Sequence, residues 1–174
     1  AGQPLSAASY VPTTGSAPYL VLWNVATAAE EGSRWLPGAS PGGTLALLIP
    51  QKAGAYTVRG FAAATGGTAT YESAQIAVTA APGALPTVPT QTADTGATSS
   101  GVTMNWTATA PSYRVLARNG VGSAYGSLVN TTASTNSYTF TGLPAGASPR
   151  AAIIPVNANG SGPAGLCFSF LGSG

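Results

Sequence analysis

Histidine is absent from this chain of 174 residues, and cysteine occurs once. Without imidazole the commonest general base is missing, and Ser-His-Asp or Cys-His arrangements for nucleophilic catalysis are excluded. The lone Cys167 has no partner for an internal disulfide. It lies in an apolar stretch, Leu166–Phe170, that reads as a strand, so a buried, inert thiol is expected. Charge is scarce as well: only 6% of residues are ionised side chains, against about 25% in an average globular chain. The cations Arg34, Lys52, Arg59, Arg114, Arg118 and Arg150 are scattered, and no basic run forms that could neutralise several phosphates, so no nucleic-acid partner is expected. The acids Glu30, Glu31, Glu72 and Asp94 offer no recognisable catalytic pair; Glu30 and Glu31 are adjacent in a Gly/Ser-rich stretch that reads as a solvated loop. One cysteine and four dispersed acids make neither zinc nor calcium spacing, so no metal or cofactor is expected. The glycine clusters lack a following helix or lysine and read as turns rather than a phosphate loop. No apolar run reaches the ~18 residues of a membrane span. No charged-then-apolar leader stands at the N-terminus, and a removed leader and a trimmed initiator methionine are both compatible with a start at Ala1.

What the chain has instead is glycine (23), proline (14) and short apolar alternations. Strand-like segments recur between Gly, Pro and Ser clusters, and no window carries a helical stripe, which makes the chain all-β. In the first half the strands are read at Tyr19–Val25, Thr44–Ile49, Tyr56–Ala62 and Thr68–Thr79, with Tyr19, Val21, Trp23 and Val25 on one face. Thr65-Gly66-Gly67-Thr68 carries the positive-φ glycines of a hairpin turn. The stretch from Ala80 to Pro89 breaks the periodicity with three prolines. The chain is therefore divided into a β-sandwich domain over residues 1–80, a semi-rigid Pro-rich linker over 81–89 and a second domain over 90–174.

Gly54-Ala55-Tyr56-Thr57-Val58 resembles the entry to the penultimate strand of immunoglobulin-like sandwiches. From about residue 88 to 172, four motifs in order resemble a fibronectin type III domain. They are Val102-Thr103-Met104-Asn105-Trp106 for its second strand, Tyr113-Arg114-Val115 for its third, Ser137 to Leu143 for its fifth, and Val156-Asn157-Ala158-Asn159-Gly160-Ser161-Gly162-Pro163 for its last turn. The resemblance implies two tandem immunoglobulin-like and fibronectin type III-like β-sandwiches. It departs from the family where a tyrosine is usual six residues after Leu143, since Pro149 stands there. That tyrosine corner staples the chain back on itself, so packing or proline rigidity is expected to replace it. Pro155, inside the presumed sixth strand, implies a bulge or an edge.

The expected core comprises Trp23, Val102, Met104, Trp106, Tyr113, Val115, Phe140 and Leu143. Three aromatic or cationic positions in loop-like stretches, Arg34, Trp35 and Tyr125, are candidates for contact with a partner or a glycan. Three glycosylation sequons, at Asn105, Asn130 and Asn159, read as chance matches in a Thr/Ser-rich chain. With no catalytic apparatus, low charge and small sandwiches, the expectation is a non-enzymatic structural or surface-interaction protein. By analogy with such modules elsewhere, it would be a decoration or tail-associated accessory protein on a phage virion surface. Its partners would be other subunits of a larger assembly, with homo-oligomers open, because a surface of few charges lowers the barrier to association. The alternative is a secreted, extracellular bacterial carbohydrate-binding or spacer module engaging a surface glycan.

Overall fold

The computed structural model describes all residues except 4, 8–18, 36–42, 46, 62–67, 121–127, 133–134 and 172–174, and describes only the backbone of 6–7, 33–35, 43–45 and 128–132. The described residues are strands and irregular connections without a helix. They form two compact units, Ala1–Leu85 with Ala158–Pro163, and Pro86–Asn157 with Ala164–Gly174. The division at Leu85 falls inside the stretch read as the linker. Residues 158–163, read as part of the second domain, group with the first, where Ser161 N–H donates to Gly2 O at 2.7 Å.

In the first unit, β1 (Leu5–Ala7) pairs with β4 (Gly43–Leu45). A second antiparallel sheet runs β3 (Ala29–Trp35), β2 (Tyr19–Asn24), β5 (Gly54–Phe61), with β6 (Tyr71–Glu72) and β7 (Ile76–Val78) both along β5. Leu20 and Leu22 of β2, Tyr56 and Val58 of β5 and Leu48 form the core, with Leu5, Ile76 and Val78 packed against it. Full burial of such side chains stabilises by roughly 1.5–3 kcal/mol each. Trp23 corrects the expected core: it is half-buried on the opposite face of β2, where the Arg59 guanidinium sits 4.0 Å from its ring centroid. The reason is that β2 is buried on both faces from Tyr19 to Leu22, so alternation cannot say which face is the core.

The second unit repeats that strand order. β8 (Val102–Asn105) pairs with β11 (Ser137–Phe140), while β10 (Leu128–Thr132), β9 (Ser112–Arg118), β12 (Arg150–Asn157) and β14 (Gly165–Phe168) form an antiparallel sheet in that order; β13 (Gly160–Ser161) lies in the 158–163 segment. The chain before β8 lies along it, bridging at Gln91–Trp106 and Thr95–Thr103. Val102, Met104, Trp106, Tyr113, Val115, Phe140 and Leu143 pack with Ala151, Ile153, Cys167 and Leu171 into one core drawn from both sheets. Trp106 meets Tyr113 edge-on at 5.5 Å. The Tyr113 hydroxyl accepts from Thr109 N–H at 2.7 Å and Ala110 N–H at 3.1 Å, which fixes the turn between β8 and β9.

Near Pro149 the missing corner is replaced by neither packing alone nor proline rigidity. Backbone bonds hold the connection: Leu143 N–H to Ser100 O at 2.9 Å, Ser169 N–H to Pro149 O at 3.1 Å and Leu171 N–H to Ala147 O at 2.9 Å. The corner occurs in the first unit instead. There Tyr56 Oη lies 3.2 Å from Lys52 O, four residues upstream, and 3.0 Å from Glu31 Oε2. The expected bulge at Pro155 is also absent from its pairing with β9, which runs without a break from Arg150 to Val156. β14 pairs with β12 only from Arg150 to Ile153, so Pro155 lies beyond that ladder, where its missing N–H is tolerated.

Candidate interaction surface

Alternation along β9, β12 and β14 turns Tyr113, Val115, Ala151, Ile153 and Cys167 inward and leaves a second set of side chains on the outer face of the sheet. Register brings those into rows. Arg118, Arg150 and Phe168 stand opposite one another across three strands, and Leu116, Ala152 and Leu166 form the next row. Arg114, opposite Ile154, begins a third. Leu166, Phe168 and Phe170 are 59%, 51% and 67% exposed, the three most open large apolar side chains among the described residues. Phe168 and Phe170 meet edge-to-face, with ring centroids 6.1 Å apart and planes at 74°. The Arg150 guanidinium lies 5.7 Å from the Phe168 ring centroid. It partly shields a ring that water would otherwise surround.

The edge of β14 is closed by a side chain. Gln91 Nε2 donates to Phe168 O at 2.9 Å, and Gln91 Oε1 accepts from Phe168 N–H at 2.9 Å, reproducing the pair of bonds a neighbouring strand would make. The same Nε2 donates to Asp94 Oδ1 at 2.8 Å. Peptide recognition by strand addition at Phe168 is therefore blocked. What remains for contact is the part of the face around Leu166, Phe168 and Phe170, since Leu116, Ala152 and Ile154 on the same face are buried.

Among the candidates, Trp35 is the last residue of β3, with its Cα opposite Leu20, and Arg34 precedes it in the same strand, so neither is in a loop. Their side chains, and all of Tyr125, lie outside the described residues. Glu30 and Glu31 are also strand residues rather than members of a solvated loop. Glu31 is a local hub, accepting from Tyr56 Oη, from Asn24 Nδ2 at 3.3 Å and from Gln51 N–H at 3.2 Å. Burial, then the hydrogen bond and charge of Glu31, push the Tyr56 phenol up to about 12. The strand escapes a sequence reading because its register shifts between Leu20 and Leu22, where β3 bulges around Gly32 at φ +80°, a conformation glycine adopts without strain.

Cys167 is buried, and burial reinforced by the charge of Asp94 raises its thiol to about 11, which leaves it almost wholly protonated near neutral pH. Two sequon amides have structural work: Asn105 Nδ2 donates to Ala93 O at 2.9 Å, and Asn159 Nδ2 to Ala84 O at 2.9 Å. Among the described residues no group of three or more His, Cys, Asp or Glu could hold a metal ion, and no helix is long and apolar enough to cross a membrane. The exposed row at Leu166, Phe168 and Phe170 and the arginines beside it went unrecognised in the sequence as a surface. The available signal was period-two spacing in the stretch already read as a strand.

No family model and no curated protein matches the chain. Solved structures do. The fibronectin type III domain of human collagen XX is 22% identical, covering 53% of this chain and 100% of that one with a TM-score of 0.39. The FN1-FN3 domains of chicken CNTN1 are 13% identical, covering 94% of this chain and 59% of that one at a TM-score of 0.42. A computationally redesigned β-sandwich protein is 19% identical, covering 49% of this chain and 95% of that one at 0.44. The strand order and two-sheet core described above carry the fold independently of these scores. The chain is all-β, and its second unit is a fibronectin type III-like sandwich preceded by an immunoglobulin-like unit of the same strand order.

Proposed function

We propose that this chain is a non-catalytic structural and surface-interaction protein, an accessory component of a phage virion such as a head decoration or a tail-associated protein. The observation that carries the interaction reading is the exposed row of Leu166, Phe168 and Phe170 on β14 and its extension. Three large apolar side chains at alternating positions form a contiguous patch of the kind that marks a contact surface. Aromatic residues beside arginine match the composition of interface hot spots. The low charge of the rest of the chain favours retention in an assembly over self-repulsion in free solution. The virion assignment rests on analogy with sandwich modules on such particles. Phe168 and Phe170 are inclined at 74°, not coplanar, which favours a protein partner over a sugar ring stacked across both.

The test is to fractionate the native source by sedimentation and follow the protein by mass spectrometry. It is expected to travel with large particles, and a Leu166→Ser, Phe168→Ser, Phe170→Ser variant that remains folded is expected to stay behind as free protein. Recovery of the native chain only as a free, glycan-binding monomer overturns the reading.

A further inference from the structure

The ten charged side chains are divided unevenly between the units. In the first, Arg34, Lys52 and Arg59 balance Glu30, Glu31 and Glu72; in the second, three cations, Arg114, Arg118 and Arg150, are counted against one acid, Asp94, so this unit carries the whole formal charge of +2. Residues scattered in sequence gather in space, because all three arginines project from the outer face of one sheet. Asp94 lies off that face, held by Gln91. Arg118 and Arg150 stand directly opposite each other on paired strands, an arrangement of like charges that destabilises an isolated sheet. Arg150 Nε is buried without a hydrogen bond among the described residues. Beside this pair stand the exposed Phe168 and Leu166.

We propose that this face docks an acidic, partly apolar protein segment whose carboxylates bridge Arg118 and Arg150 while its apolar side chains cover Leu166, Phe168 and Phe170; the proposal rests on the reading of the chain as a surface-interaction protein. A carboxylate between the two guanidiniums relieves their repulsion and can accept two N–H bonds from an arginine fork. Three arginines are too few to hold an extended phosphate backbone, and Phe168 and Phe170, inclined at 74°, offer no parallel platform for successive stacked bases. An acidic peptide uses both halves of the surface.

The experiment titrates the full chain with two synthetic peptides that alternate Leu and Phe with either Glu or Gln, and follows backbone amide shifts by NMR. The Glu peptide is expected to move the amides of Arg118, Arg150, Leu166 and Phe168, and to weaken several-fold between about 0.05 and 0.5 M salt. An Arg118→Gln, Arg150→Gln double variant should lose about tenfold or more in affinity for the Glu peptide and little for the Gln peptide. Arg150→Lys keeps the charge and tests the fork alone, so a fold defect in the double variant does not end the experiment. Equal binding of the two peptides overturns the proposal, as does tighter binding of heparin or an oligothymidylate to the same residues. Particle attachment that survives the arginine substitutions overturns the acidic partner while leaving the structural role intact. A protein absent from particles whose arginines still select the Glu peptide reverses that outcome.

Discussion

Gln91 holds Phe168 by both atoms of its amide, one donating to the carbonyl and one accepting from the N–H, each at 2.9 Å. This side chain occupies the edge of β14 at the point where two exposed phenylalanines begin. Gln91→Ala should lower stability by about 1–2 kcal/mol. Freed N–H and C=O groups beside exposed Phe168 and Phe170 form a template for strand pairing between molecules. Urea denaturation read together with concentration-dependent light scattering checks both effects. Gln91→Glu should be more damaging at pH 7, because the new carboxylate keeps the bond from Phe168 N–H but sets a second oxygen, in place of the donating Nε2, against Asp94 Oδ1 and Phe168 O. Its folded-state pKa would be raised, so it should recover stability as the pH falls and the carboxyl regains a proton.

Tyr56 and Glu31 define a pH dependence at the alkaline end. The Tyr56 phenol is pushed up to about 12 in the folded chain, first by burial and then by Glu31, against an ordinary value of about 10. Below that ordinary value the phenol is protonated whether the chain is folded or unfolded, and its contribution is complete. Between about 10 and 12 the unfolded chain ionises first, so stability should fall by an amount on the order of 3 kcal/mol. In Tyr56→Phe this decline should vanish, leaving a pH-independent loss of ~1–2 kcal/mol from the missing hydrogen bond. Denaturant midpoints measured from pH 8 to 12 on both proteins separate the two contributions.

Gly165 of β14 lies against the backbone of Pro89. A Cβ built there would lie 2.1 Å from Pro89 O, a backbone atom that cannot move aside as a flexible side chain would. Gly165→Ala should cost about 2–4 kcal/mol, comparable with severe overpacking of a core. Thermal unfolding of the isolated substitution reads this directly. An unchanged midpoint would mean that Pro89 shifts freely and that its packing against β14 is dispensable.

The second unit was largely legible in the sequence because β8, the start of β9 and β14 each alternate between buried and more open residues, although β12 is buried on both faces. Val102, Met104 and Trp106 alternate with more exposed residues, as do Tyr113 and Val115. The first unit was less legible for the opposite reason. With Tyr19, Leu20, Val21 and Leu22 all buried, period-two alternation carries no information about direction, so the sequence pattern puts Trp23 on the wrong face. Ala29–Trp35 reads as a loop because two glutamates, a glycine and a serine have low strand propensity. What makes it a strand is pairing with β2 and the bonds Glu31 accepts from Tyr56, Asn24 and Gln51. Such long-range terms override local preference and cannot be read locally. The arginine face has the same character. Arg118 and Arg150 are neighbours only through strand register, and no spacing in the chain announces it.

Trp23 on the outer face has a definable role. The Arg59 guanidinium lies 4.0 Å from its ring centroid, and the Arg59 Nε lies 2.9 Å from Glu72 Oε1, which also accepts from Thr57 Oγ1 at 2.9 Å. The indole, the guanidinium and the carboxylate thus form a chain of contacts across β2, β5 and β6. The Arg59 hydrogen bond, followed by that of Thr57, holds the Glu72 carboxyl below the usual range. Arg59→Ala should therefore raise the Glu72 pKa in an NMR titration. The group contributes stability above its unfolded pKa and loses that contribution as the pH falls through its folded value. A double-mutant cycle between Trp23→Ala and Arg59→Ala should give a coupling of about 0.5–1 kcal/mol. Arg59→Lys should lose most of that coupling, because an ammonium keeps the charge without the planar stacking surface. Salt separates the two arms: the solvent-exposed coupling to Glu72 should fade as ionic strength rises, whereas the contact with the indole, partly desolvated by the ring itself, should persist. A Trp23–Arg59 coupling that disappears with salt as completely as the Glu72 one would mean that the ring serves only as a spacer for the ion pair.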